Sequence, residues 1–419
     1  MLNNDKILAF LRKATIYEIN TRQFSGKGDF ASVEAHLPRL KQMGVDILWF
    51  MPIHPIGEVK RKGSLGSYYC SRDFFDVNPE FGTKADFKKL VDSAHQLGMK
   101  IVLDWVANHA AWDNGWVKDH PDYFLRDEAG AFVSPYDWSD VIQINHSNEA
   151  AHDAMRSAML YWVKEFDIDG FRADLAHLTP LHFWIKARKL TEAAKPDLIW
   201  LAETEELEYY QAFDIFYAWK WMHQTEAFFK HDKPVSFLTD LLKEQQVTYP
   251  AKAKQLYFTT NHDENSWNGT EFEKYGVYAN ALAVFDFVFP GSVPLIYGGQ
   301  EIPNHKRLAF FDKDEIVWND HPELQNFYTQ LVAFRKNCTA SDTLSWIESQ
   351  PGLLAFRRGD EPSFIYLFIN LGKEQTPVSI PSSDSHSYRE VLNNREEKLI
   401  TTADTISLKP GEYLLLERI

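Results

Sequence analysis

The feature that most constrains this chain is a unit repeated through its first half: an amphipathic helix pattern, then a short, wholly apolar run. Val33–Met43 carries apolar residues at helical spacing, Gly44 ends it, and Ile47–Phe50 reads as a buried strand. Phe87–Leu97, Gly98 and Ile101–Asp104 repeat the unit, and Ala151–Phe166 followed by Gly170–Asp174 is a third pass. Strands apolar on both faces that alternate with helices require a parallel sheet covered by those helices.

Further strand patterns at Ile16–Ile19, Leu198–Glu203, Phe213–Tyr217, Gln255–Thr259 and Val293–Tyr297 bring the number to eight. Helices are expected at Leu181–Ala194, Phe237–Gln246, Tyr275–Phe289 and Pro322–Lys336. Eight such units predict an α/β fold, a (β/α)8 TIM barrel over residues 1–338. The surplus length lies mostly in 51–83 and 105–148, both after strands, on the face where barrel active sites are built. The second of these is expected to form a short inserted loop domain. A doubly wound open sheet is the competing architecture, but no Gly-rich phosphate loop follows the first strand. From 339 to 419 the texture changes. Leu353–Arg357, Phe364–Asn370, Thr376–Ile380, Tyr388–Val391, Thr405–Leu408 and Tyr413–Glu417 are short strands separated by Gly, Pro, Ser and Asn393-Asn394. They predict a C-terminal antiparallel β-sandwich domain.

With 44 Lys+Arg against 59 Asp+Glu, the net charge of −15 repels phosphate backbones and anionic lipid, so neither nucleic acid nor a membrane surface is an expected partner. Cys70 and Cys338 are too few for a disulfide framework and are expected as free thiols. The apolar stretch near the N-terminus is too short for a signal-peptide core, and no run reaches the roughly 18 apolar residues of a membrane span. A cytoplasmic location is expected, or an exported one if a signal was removed before this numbering begins. Oligomeric state is left open. The 13 Trp and 18 Tyr exceed what a core alone calls for and hint at flat-faced ligands.

Polar residues at the C-terminal ends of the barrel strands are the candidates for chemistry. The third strand ends in Asp104 and runs on through Trp105-Val106-Ala107-Asn108-His109. The fourth carries Arg172 and Asp174, two apart and therefore on one face. The fifth ends in Glu203, and the seventh leads into Asn261-His262-Asp263. A lone carboxylate at a strand end is ordinarily a helix cap or an ion-pair partner. Four strands delivering carboxylates, an Arg and two His to one rim weaken that reading. Arg172 beside Asp174 is expected to depress its pKa and keep it ionised. A second acid on the adjacent strand would be pushed the other way, and this pairing is what retaining glycoside hydrolysis requires.

On these residues the chain resembles the α-amylase family of glycoside hydrolases, over nearly its whole length. Asp104–His109, Gly170–Asp174, Ala202-Glu203 and Phe258–Asp263 look like that family's four motifs, in order on strands three, four, five and seven. Gly66–Phe81, Asp140–Asn145 and Tyr297–Glu301 are further matches. The resemblance implies a retaining hydrolase of α-1,4 linkages in starch and maltooligosaccharides. Asp174 would be the nucleophile, Glu203 the acid/base and Asp263 the residue that grips hydroxyls and steadies the transition state. Arg172 would position Asp174, His109 and His262 would bind hydroxyls, and Tyr69 would stack on the sugar. The same scaffold also carries transglycosylases and isomerases, such as glucanotransferases and trehalose synthases. A non-catalytic sugar-binding relative is disfavoured because all three carboxylates are present.

Where many members have Lys-His shortly after the nucleophile, this chain has His177-Leu178. The chemistry implies no cofactor. The resemblance does admit a structural Ca2+ at Asn108, with Asp113, Asp119, Asp137 and Asp140 as the nearby acids, though no cage is evident among them. Trp112, Trp116, Tyr123, Phe124, Tyr136, Trp138, Trp219, Trp221 and Trp267 are the aromatic candidates for the rim.

Overall fold

In a computed structural model, residues 5–319, 322–347, 350–381, 386–392 and 399–419 are described. Eight parallel strands close into a barrel: β1 (Ile16–Ile19), β2 (Ile47–Phe50), β3 (Lys100–Trp105), β4 (Gly170–Ala173), β5 (Ile199–Ala202), β6 (Ile215–Tyr217), β7 (Lys254–Tyr257) and β8 (Ser292–Tyr297). Neighbours in the barrel are neighbours in sequence, with β1 pairing both β2 and β8. The closed order excludes the open, doubly wound sheet.

Each strand buries both faces, as its apolar run requires. Ile16, Ile47, Trp49, Val102, Ile199, Leu201, Tyr217, Leu256 and Leu295 fill the barrel interior. The alternate residues, among them Tyr17, Leu48, Phe50, Leu103, Phe171, Trp200 and Ile296, pack outward against the helices. Residues of a short N-terminal helix, Asp5–Leu11, join the interior cluster through Ile7 and Leu11. Sequence periodicity did not reveal this helix, because seven residues hold too few turns for a pattern to show.

The stop signals act as expected at Gly44, whose φ of 96° is the left-handed conformation that ends helix Phe30–Met43. Helix Glu149–Phe166 ends without glycine, on Asp167 in the same conformation (φ 61°). Its start is capped by Asn148, whose side chain accepts the N–H groups of Ala150 and Ala151. Between β6 and β7 there are two helices, Trp219–Lys230 and Ser236–Thr248, where the sequence reading expected only the second. Residues 105–148 form a small antiparallel hairpin, His109–Ala111 against Val141–Gln143, with short turns of helix between.

The C-terminal residues form a five-stranded antiparallel sheet and a separate two-stranded one, Thr376–Ser379 with Thr405–Leu408. Alternation along Leu353–Asp360 and Ser363–Asn370 divides two cores. Leu353, Ala355, Tyr366 and Phe368 pack with Val378 and Leu408 of the small sheet, whereas Leu354, Phe356, Ile365 and Leu367 join the core of the barrel's helices. The large sheet gains a strand, Leu344–Trp346, that the sequence reading missed. The expected Asn393-Asn394 turn lies outside the described residues. Cys70 is buried, Cys338 half-buried, and both are free. Among the described residues no helix is long and apolar enough to cross a membrane.

Candidate active site

The interior face of each strand continues, in steps of two, into the polar residues at its C-terminal end. Val102 is followed by Asp104, Leu201 by Glu203, and Ile16 by Glu18. Parallel register then sets Asp104 of β3 directly beside Arg172 of β4. On the other side of β4, Gly170 allows the close approach of β5, since a Cβ there would lie 2.0 Å from the Ile199 carbonyl oxygen.

Arg172 is fully buried and gathers three carboxylates. Its Nη1 donates to Asp104 at 2.8 Å and to Asp174 at 2.9 Å, and its Nη2 donates to Glu203 at 2.7 Å. Its Nε donates to the Tyr217 hydroxyl at 3.1 Å. The second contact on Glu203 falls on the same oxygen, Oε2, from the backbone N–H of Leu175 at 2.9 Å. One cation cannot offset three buried negative charges. Burial raises the carboxyls of Asp174 and Glu203 to about 7 and that of Asp104 to about 6, although Arg172 pulls each of them down. This corrects the expectation that the ion pair with Arg172 leaves Asp174 with a net depressed pKa. Desolvation and the neighbouring acids outweigh the ion pair.

Asp263 behaves oppositely. Its place in the cleft works to raise its carboxyl, but the neighbouring His262 ring, 3.2 Å away, holds it below the usual range. Burial works against a charge on His262, yet Asp263 and Glu18 outweigh burial and lift its pKa well above that of a free imidazole. Nδ1 of His262 meets Glu18, and Nε2 lies 2.7 Å from the Tyr69 hydroxyl. That hydroxyl in turn donates to Asp104 at 3.0 Å.

These groups open into a cavity of about 510 Å3 lined by Tyr69, His109, Asp174, Glu203 and Asp263, together with Trp138, Trp267, Phe310 and Phe311. Tyr69, His109, Asp174, Glu203 and Asp263 are thus brought to one surface. Arg172 and His262 stand behind it, 0% and 1% exposed. Both nitrogens of His262 have protein partners, Glu18 at Nδ1 and the Tyr69 hydroxyl at Nε2. Past Glu203 a second recess of about 330 Å3 is lined by His177, Thr204, Glu205, Glu206, Trp219 and Lys220. Of the candidate rings, Trp138 and Trp267 line the main cavity and Trp219 the recess, whereas Trp221 is core, stacked on Phe285 at 4.2 Å.

Sequence reasoning missed Glu18, Trp49, Tyr217, Lys62, Phe310 and Phe311. Glu18 had a signal, a single charge inside the apolar run Ile16–Ile19. Trp49 and Tyr217 read as apolar interior residues, yet Trp49 donates to Asp104 at 3.2 Å. Lys62 sits in the cavity wall paired with Asp140 at 3.0 Å, and Phe310 and Phe311 lie in a loop with no pattern to mark them.

The donors around Asn108 do not fit calcium. Its carbonyl oxygen accepts the Ile144 N–H at 2.9 Å, and its side-chain oxygen faces the His146 ring at 3.4 Å. The expected acids are engaged elsewhere. Asp113 accepts the Glu58 N–H at 2.9 Å, Asp140 pairs with Lys62, Asp137 lines the cavity and Asp119 is exposed. An imidazole is a poor substitute in a site that takes six to eight oxygens.

A barrel whose strand ends present three carboxylates around a sugar-sized cavity defines a class of glycosidase-like proteins. The family model for the alpha amylase catalytic domain matches residues 13–141, which include the first motif. An alpha-amylase from Lactobacillus plantarum superposes with a TM-score of 0.88 and 32% identity, covering 98% of this chain and 99% of that one. A noncanonic maltogenic alpha-amylase, AmyB, from Thermotoga neapolitana gives 0.87 and 33%, with the same coverage. Alpha-amylase MalA of Haloarcula japonica is 25% identical over 442 residues, covering 96% of this chain and 63% of its own length, so this chain spans less than two thirds of that relative. The chain belongs to the α-amylase family of glycoside hydrolases.

Proposed function

We propose that this protein hydrolyses α-1,4-glucosidic bonds of maltooligosaccharides by double displacement with retention. The observation that carries this reading is the convergence of Asp174, Glu203 and Asp263 on one cavity, with Arg172 joining the first two. The name of the 33% identical Thermotoga enzyme, a maltogenic alpha-amylase, supports a maltooligosaccharide substrate.

In the first step Asp174 attacks the anomeric carbon through Oδ2, because Oδ1 is held by Arg172. A C–O bond forms to the carboxylate as the glycosidic C–O bond breaks. Glu203 gives its proton to the departing oxygen through Oε1, since both donors on this residue occupy Oε2. In the second step water attacks the same carbon, the C–O bond to Asp174 breaks and frees its carboxylate, and Glu203 takes a proton from the attacking water. Asp263, kept ionised by His262, accepts hydrogen bonds from hydroxyls of the distorted ring and faces the positive charge that develops on it. Tyr69 and His109 complete the wall around that ring, while Trp138 and Trp267 offer flat faces to further sugars.

The test is a digestion of maltoheptaose and amylose with products resolved over time, and with the anomeric configuration of the first product read by NMR. Maltose and short maltodextrins released as α-anomers are expected. Chains longer than the substrate, or trehalose, would instead identify a transglycosylase or isomerase.

A further inference from the structure

We propose that Glu149, His152 and His182 form a binding site for a divalent transition-metal ion of the zinc type, outside the catalytic cavity. Glu149 and His152 occupy the first turn of helix Glu149–Phe166, and His182 that of helix Leu181–Glu192. One ligand atom from each lies within 4.8 Å of the other two.

An independent observation singles out His152. Its ring is 1% exposed, and its Nδ1 is buried without a hydrogen-bond partner. That atom lies 3.7 Å from Glu149 Oε2, too far for a hydrogen bond. The other ring nitrogen, Nε2, is 3.1 Å from Nδ1 of His146, whose own Nε2 faces the Asn108 side-chain oxygen at 3.4 Å. With protons on the two Nε2 atoms, each ring donates to the next group in this chain. The lone pair of His152 Nδ1 is then left free and aimed at Glu149. A metal-bound histidine requires this arrangement, in which the outer nitrogen is held by a hydrogen-bond partner.

Glu149 is shared, and the sharing leaves room for an ion. Its Oε1 takes Arg156 at 2.6 Å and Lys186 at 2.8 Å, and Oε2 remains toward His152. Arg156 is itself countered by Asp153 at 2.5 Å, which reduces the positive charge facing the site. Two imidazoles and one carboxylate match zinc rather than calcium, and zinc-bound atoms at about 2.0–2.2 Å from the ion stand some 3.5 Å apart. His182 is exposed and Glu149 keeps Oε2 clear of its two cations, so these two close the gap, whereas His152 is fixed by packing. The ion would fasten the helix that follows the inserted hairpin to the helix that follows Asp174.

The experiment is calorimetric titration of the chelator-treated full chain with ZnCl2, repeated for His182→Ala and Glu149→Gln. These exposed positions avoid the folding risk of altering His152. One Zn2+ per chain is expected, bound at least about tenfold more weakly by either variant. Co2+ should give a visible absorption band that is lost in His182→Ala, and excess Ca2+ should not displace Zn2+. No binding, affinity unchanged in both variants, or displacement by Ca2+ would overturn the proposal.

Discussion

Arg172 and Glu203 meet at 2.7 Å with both side chains buried, so the proposed proton donor is in contact with the cation of the site. An isolated pair of this kind would keep Glu203 ionised. It does not here, because burial and the carboxylates of Asp174 and Asp263 push the same group up to about 7. The cation therefore orients the acid without taking its proton.

Substituting Arg172 tests that arrangement. Arg172→Met leaves three buried carboxyls without their shared donor and is expected to cost about 3–5 kcal/mol in denaturant unfolding. Arg172→Lys keeps the charge but loses the fork that reaches Asp174 and Glu203 from separate nitrogens, and kcat should fall at least about a hundredfold. Wild-type turnover in Arg172→Lys would show that the fork has no part in positioning.

Glu203→Gln and Asp174→Asn separate the two roles. Glu203→Gln should retain substrate binding while kcat drops by about a thousandfold or more, because the amide cannot release a proton to the leaving oxygen. Asp174→Asn should abolish covalent labelling by a fluorinated glycosyl donor in mass spectrometry. A labelled Asp174→Asn protein would point to another nucleophile.

The pH profile follows from the raised carboxyls. Glu203 must be protonated for the first step, and with its pKa near 7 its protonated fraction falls tenfold per unit above neutrality. Asp174, raised to about 7, must be ionised and is lost to protonation below. A narrow bell in kcat/KM centred near pH 7 is expected, its limbs belonging to the coupled pair. A plateau extending to pH 9 would remove Glu203 as the acid.

At the opposite end of the barrel, Asp169 should govern acid stability. Burial works to raise its carboxyl, but His95 at 2.7 Å, Lys195 at 3.1 Å and Lys100 at 3.2 Å hold it far below the usual range. A carboxyl depressed by folding adds stability above its unfolded pKa, about 4, and loses it as pH falls toward the folded value. Asp169→Asn should therefore cost about 2 kcal/mol at pH 7, and the difference from wild type should shrink steadily below pH 4. Urea unfolding across pH 2–7 measures it.

Trp138 and Trp267 should act on binding more than on chemistry. Alanine at either position is expected to raise KM for maltoheptaose by about tenfold, near 1.4 kcal/mol, with kcat changed little. A fall in kcat at unchanged KM would place the ring at the reacting sugar.

Much of this was legible in the residue order. Apolar runs of strand length behind helical patterns called for a parallel sheet covered by helices, because both faces of a parallel strand must find apolar partners, and the pairing of β1 with β8 closed it. Asp104, Arg172, Asp174 and Glu203 were legible as a group because period-two spacing extends each strand's interior face to its polar end. The electrostatics were not. The pull of Arg172 on Asp174 is visible in the sequence, but how many acids share that one cation depends on the register of β3, β4 and β5 and on Glu203 reaching back to Nη2. The motif marks His262, but the packing of Glu18 and Tyr69 against its two nitrogens is set by the tertiary structure. His152 and His182 lie on separate helices, thirty positions apart, and no local spacing joins them. Local patterns are set by the chain's own period, so the sequence determined the elements and their inward faces. Charge states and lone pairs depend on neighbours in space, so only the tertiary structure decided them.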